Sequence, residues 1–175
     1  MNNNVRSAIG IVVAVVVYLL VVNYPKWVQP HWQEFSSQEG KFTVLMPGEP
    51  KVKSQTLANT EVVLHMFTAD RGYSAYMSSY FDLTPSSVPA DTLLDRARDG
   101  SIRKMEGNLL SEEKITLNGY PGREYKSTAR GDNFVDSRIY LADARLYMLS
   151  VVHKDRENSD TPRFFNSFKI LSNQP

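Results

Sequence analysis

Residues 8–22 read AIGIVVAVVVYLLVV, an apolar run free of charge and proline that no later stretch of the chain matches. As a helix this run spans roughly 22 Å, short of a hydrocarbon core of roughly 30 Å. Ser7, Asn23, Tyr24 and Trp27 extend it with groups suited to the headgroup zones, and Arg6 and Lys26 are placed to snorkel to the two interfaces. The small residues that mark a cleaved leader do not follow the run. The pattern therefore predicts one retained transmembrane helix, with the short N-terminal tail in the cytoplasm and the rest exported. On that helix Ser7, Gly10 and Ala14, with Tyr18 a turn further on, make a narrow seam expected to pack against a neighbouring membrane helix. The connector that follows, PKWVQPHW, carries two prolines and would hold the domain close to the bilayer, with Trp27 and Trp32 at its surface. The chain divides into an anchor and connector over 1–30 and a globular domain over 31–175.

Beyond the connector the hydrophobic period shortens to that of strands. Residues 41–46 (KFTVLM) end at the turn Pro47-Gly48-Glu49-Pro50, and 61–70 and 73–82 read as a hairpin joined by Arg71-Gly72. In the first arm Val62, Leu64 and Met66 face one way and Val63 and Phe67 the other, so this strand is expected to be covered on both sides. A helix opens at Pro89 with Asp91 in its first turn, shows Leu93, Leu94, Ala97 and Ile102 on one stripe, and ends at Gly107. Four further strands follow over 110–117, 122–129, 134–141 and 145–153, with connections short enough for an antiparallel meander. A closing helix starts near Asp160, has Pro162 in its first turn and buries Phe164, Phe165 and Phe168. About seven antiparallel strands with helices before and after the meander imply a central sheet covered by helices on both faces.

Composition narrows the function classes. All 19 acidic residues, and all of the 20 basic ones except Arg6 and Lys26, fall from His31 onward, so the domain is close to neutral. No basic stripe supports nucleic-acid binding. Cysteine is absent, which excludes disulfides, thiolate metal sites and thiol catalysis. His31, His65 and His153 lack a partner at a metal-binding spacing, and no nucleophile elbow or phosphate-binding glycine loop is present. Asp91, Asp95 and Asp99 repeat along the helix and read as a solvated face paired with Arg96, Arg98 and Arg103. Arg130-Gly131-Asp132 reads as a hairpin turn, and Met66, Met77 and Met148 read as core filler. No catalytic, cofactor-binding or metal-binding residue is assigned. Tyrosines are numerous, and Tyr73, Tyr76 and Tyr80 form a candidate partner surface because tyrosine is large, rigid and able to hydrogen-bond.

The segments EGKFTVLMPGEPK, ARDG, GYPGRE, RLYMLSV and FFNSFKI resemble the PsbP-like superfamily, and the resemblance extends over residues 34–171. PsbP is an extrinsic subunit of photosystem II, and the superfamily includes a eukaryotic relative that binds a small GTPase. The resemblance implies an α/β/α sandwich with a central antiparallel sheet, and a non-enzymatic, partner-binding role. It carries no metal or binding residue onto this chain. The expected function is a non-catalytic, single-pass accessory subunit whose partners are integral membrane protein subunits and membrane lipid, with no cofactor and no nucleic acid. Its sharpest version serves a photosynthetic reaction-centre complex from the periplasmic or lumenal side. The alternative is an anchored domain that binds a small ligand or acts as a sensor.

Overall fold

The computed structural model describes residues 31–57, 60–84 and 87–171. In chain order the elements are β1 (Trp32–Ser37), β2 (Phe42–Pro47), β3 (Lys51–Thr56), β4 (Val63–Arg71) and β5 (Ser74–Asp82). A helix, α1 (Ala90–Lys104), precedes the meander β6 (Leu109–Leu117), β7 (Tyr120–Ala129), β8 (Asn133–Ala142) and β9 (Arg145–His153). The short helix α2 (Thr161–Asn166) and β10 (Lys169–Ile170) close the described chain. The main sheet has seven strands in the order β3-β4-β5-β9-β8-β7-β6, and a second sheet has three in the order β1-β2-β10. All strand pairings among the described residues are antiparallel, and the last strand of the meander inserts beside β5.

Two cores lie on the two faces of the main sheet, because successive side chains on a strand alternate between faces. Leu64 and Met66 of β4, Met77 and Phe81 of β5 and Met148 of β9 point toward Leu94, Ala97 and Ile102 of α1. Phe67, Tyr76, Tyr80, Tyr147 and Leu149 point the opposite way, toward Phe42, Val44 and Met46 of β2 and Phe164, Phe165 and Phe168 at the end of the chain. β4 is therefore covered on both sides, as its pattern predicts. Fully burying Phe42 or Phe164 contributes about 2 kcal/mol each.

The expected α/β/α sandwich does not form. The described residues are mostly strand, in two sheets, and one face of the main sheet is covered by a second sheet and the six-residue α2 instead of a full helix. The physical reason lies in β2. Phe42, Val44 and Met46 are all buried at alternating positions, which gives this strand one apolar face to lay on the main sheet. β2 is thus not a member of the main sheet, and β3 takes the place the sequence pattern gave it. β3 (KVKSQT) escapes the hydrophobic pattern because five of its six residues are exposed at the sheet edge. The expected spanning helix over 8–22 lies outside the described residues. Among those described, no helix is long and apolar enough to cross a membrane.

Small residues fix the seat of α1. Ala97, Gly100 and Ser101 are buried along its inner stripe and let the helix approach the sheet closely. At Gly107 a β-carbon would lie 1.8 Å from the Thr128 carbonyl oxygen, so only glycine lets the chain leave α1 directly against β7. Asn118-Gly119 and Gly131-Asp132 turn two hairpins with both residues at positive φ, between 53° and 85°, which matches the twist of the flanking strands.

Candidate functional site

Beneath α1 the Arg123 guanidinium, 3 % exposed, donates to Asp91 at 2.7 Å and lies 3.2 Å from Asp95 and 3.3 Å from Glu112. Arg98 meets Asp95, Asp99 and Glu112, and Lys114 donates to Asp91 at 2.9 Å. Hydrogen bonds from Lys114 and Arg123 hold the Asp91 carboxyl down at about 2. The acidic stripe is therefore paired, as the sequence suggests, but its main partners are Arg98 and the strand residue Arg123, which helical spacing could not reveal. The cluster ties α1 to β6 and β7, and every acid in it already has a cation.

Two histidines sit in other clusters. The His65 ring stacks on Tyr80 with centroids 4.6 Å apart, and the Arg145 guanidinium lies 4.6 Å over Tyr80. Arg145 holds Asp82 through two bonds of 2.6 and 2.9 Å and donates to the Glu39 carbonyl at 2.7 Å, while the Tyr147 hydroxyl donates to the Gly40 carbonyl at 2.8 Å. These contacts pin the β1–β2 turn onto the main sheet. Burial, and next the charge of Glu39, push the Tyr80 hydroxyl up to about 12. The buried His153 lies against Asp136. Among the described residues no group of three or more His, Asp or Glu is placed to hold a metal ion.

The aromatic candidates separate. Tyr76 and Tyr80 are buried, at 1 % and 2 % exposure, and belong to the core between the sheets, whereas Tyr73 on the β4–β5 turn is 69 % exposed. Trp32 meets Tyr76 edge to face at 5.2 Å, with the guanidinium groups of Arg71 and Arg163 at 5.9 and 5.0 Å from its ring. Asp160 accepts from Arg71 at 3.1 Å, and Asn158 donates to Ser74 at 2.7 Å and accepts from Tyr76 at 3.3 Å. Trp32, Arg71, Tyr73 and Arg163 thus share one end of the domain, the end at which residue 31 enters it. Tryptophan, tyrosine and arginine are the residue types that dominate binding energy at protein interfaces, so this rim is the candidate partner surface. Arg71 and Arg163 carry no sequence signal for it, because they are brought to Trp32 from a hairpin turn and from α2. Ser7, Gly10, Ala14, Tyr18, Arg6, Tyr24, Lys26 and Trp27 lie outside the described residues. The tyrosines and methionines that could have lined a ligand pocket, among them Tyr125, Tyr140, Met66, Met77 and Met148, are packed in the two cores.

The sequence matches no protein-family model, and no curated protein matches it. Among solved structures, the solution structure of cyanobacterial PsbP (CyanoP) from Synechocystis sp. PCC 6803 is similar, with a TM-score of 0.59, 12 % identity, and coverage of 86 % of this chain and 99 % of that one. A crystal structure of a protein of unknown function from Pseudomonas aeruginosa is more distant, with a TM-score of 0.43, 11 % identity and coverage of 70 % and 83 %. The chain has a PsbP-like fold, as the sequence resemblance implies.

Proposed function

We propose that this chain is a non-catalytic accessory protein that binds and stabilises a larger membrane protein complex from its lumenal or periplasmic side. A photosystem-type complex is the sharpest version. The observation that carries the reading is the likeness to cyanobacterial PsbP over 99 % of that protein's length. Two features of the domain support it. The ionisable clusters are internally neutralised and serve packing, and the rim of Trp32, Tyr73 and Arg163 has the composition of a protein-binding surface.

The test is purification of the full-length chain from its own membranes in mild detergent, followed by identification of what accompanies it. Recovery of a multisubunit pigment–protein complex supports the photosystem version, and recovery of another membrane complex supports only the broader reading. A chain recovered alone, at native abundance and in several detergents, overturns both and favours the small-ligand alternative.

A further inference from the structure

We propose that the rim of Trp32, Tyr73 and Arg163 rests on anionic lipid headgroups, so that the domain stands on the bilayer with its strands upright. This rests on the membrane-side reading above and names what the rim touches there. The strand ends define two poles. At one of them β1 begins, Trp32 pairs with Pro47, and the His31 carbonyl accepts from the Gly48 amide at 2.9 Å. The β4–β5 turn reaches the same pole, since the Arg71 guanidinium lies 5.9 Å from the Trp32 ring. At the other pole stands the β1–β2 turn, where the Glu39 carbonyl accepts from Arg145, itself opposite Asp82 at the end of β5. The six residues of β1 hold the two poles about 20 Å apart.

Three features turn the first pole toward lipid. The chain enters the domain there, and only the eight residues 23–30 separate the apolar run 8–22 from His31, a reach of at most about 28 Å. With that run in a bilayer, the Trp32 pole is the part of the domain nearest the headgroups. Both tryptophans of the chain, Trp27 and Trp32, flank this entry. The third feature is the exposed chemistry of the rim. Tyr73, 69 % exposed, is the one exposed aromatic side chain among the described residues. Arg163 is also exposed, lies 5.0 Å over the Trp32 ring and forms no ion pair among the described residues. Aromatic rings with a polar tip settle at the headgroup layer, and a guanidinium is suited to phosphate oxygens. At the far pole the Asp82 carboxylate is already held by Arg145.

The chain has no cysteine, so single cysteines can report which pole meets the membrane. Glu49→Cys, exposed in the turn beside Pro47, marks the rim pole, and Gln38→Cys, exposed in the β1–β2 turn, marks the far one. The full-length chain, with a nitroxide at either position, is placed in nanodiscs of phosphatidylglycerol carrying a lipid-borne nickel chelate. Collision with nickel should be at least about threefold greater at position 49 than at 38, given their separation along the strands. Arg163→Gln should lower the ratio of docked to undocked domain about fivefold, the worth of one basic side chain at an anionic surface, while Arg163→Lys keeps it. Should Arg163→Gln not fold, the wild-type contact decides, since about 0.5 M salt should weaken it in the same sense. Equal collision at both positions, greater collision at 38, or a contact indifferent to both Arg163→Gln and salt overturns the proposal. Approach of position 49 to lipid only when a purified complex is present assigns the rim to protein, and also overturns it. A chain that does not enter nanodiscs overturns it as well, yet leaves the accessory reading standing, because co-purification judges that separately.

Discussion

Arg123 donates to Asp91 at 2.7 Å from a side chain only 3 % exposed, and so joins β7 to the first turn of α1. The guanidinium is satisfied in that position by Asp91, Asp95 and Glu112, and removing it leaves Asp95 and Glu112 to Arg98 alone and Asp91 to Lys114. Arg123→Ala is expected to lower stability by about 2 kcal/mol in urea denaturation, less than for a fully buried pair because its acids are partly exposed. Combined with Arg98→Ala the loss should be non-additive, since the two arginines share Asp95 and Glu112.

The same cluster sets an acid limit. Asp91 titrates near 2 in the folded chain against an ordinary 3.8, owing to the hydrogen bonds from Lys114 and Arg123. A carboxyl depressed by folding adds stability that is fully present above its unfolded value and is lost as the pH falls through the folded one. Thermal stability should therefore decline between about pH 4 and about pH 2. Asp91→Asn should flatten that part of the curve, and an unchanged slope would remove Asp91 from the account.

Gly107→Ala tests the passage from α1 to β6. The added methyl would lie 1.8 Å from the Thr128 carbonyl oxygen, a backbone atom that cannot swing aside. A loss of about 3 kcal/mol is expected, read as a lower melting temperature. Gly119→Ala meets nothing within 4 Å and carries only the strain of its φ of +85°, so it should cost less.

Phe164→Ala empties a side chain that is 0 % exposed between α2 and the main sheet. The expected loss is about 4 kcal/mol by chemical denaturation, with near-ultraviolet circular dichroism changing because Tyr76 stands edge to face with Phe164 at 5.4 Å.

Tyr73→Ala separates binding from stability. At 69 % exposure the side chain should change unfolding free energy by less than about 0.5 kcal/mol. If the rim is the docking surface, the variant should nevertheless co-purify with its complex in reduced amount. Undiminished recovery would take Tyr73 out of the interface.

The elements set by strong periodicity are legible in the sequence alone. The two-sided pattern of 62–67 placed β4 inside a covered sheet, and the Arg71-Gly72, Asn118-Gly119 and Gly131-Asp132 turns marked the hairpins. Layering was less accessible, because a strand with one buried face reads alike whether it lies within the main sheet or on top of it. Phe42, Val44 and Met46 announce that β2 has one buried face, yet only the missing pairing to β4 shows that it belongs to the second sheet. Tyr76 and Tyr80, four apart on one strand, had to share a face, but their sequence positions gave no indication that an aromatic layer would close over it. The rim at Trp32 was hidden for the same reason, as its arginines arrive from residues 71 and 163.

β10 pairs with β2, so the small sheet joins the first hairpin of the domain to residues more than a hundred positions later. The aromatic face formed by Phe42, Tyr76, Tyr80 and Tyr147 is not covered until Phe164, Phe165 and Phe168 arrive. During synthesis these three side chains leave the ribosome after every strand they shield. A chain made only as far as β9 can pair its meander but cannot finish its second core. Such long-range closure slows folding.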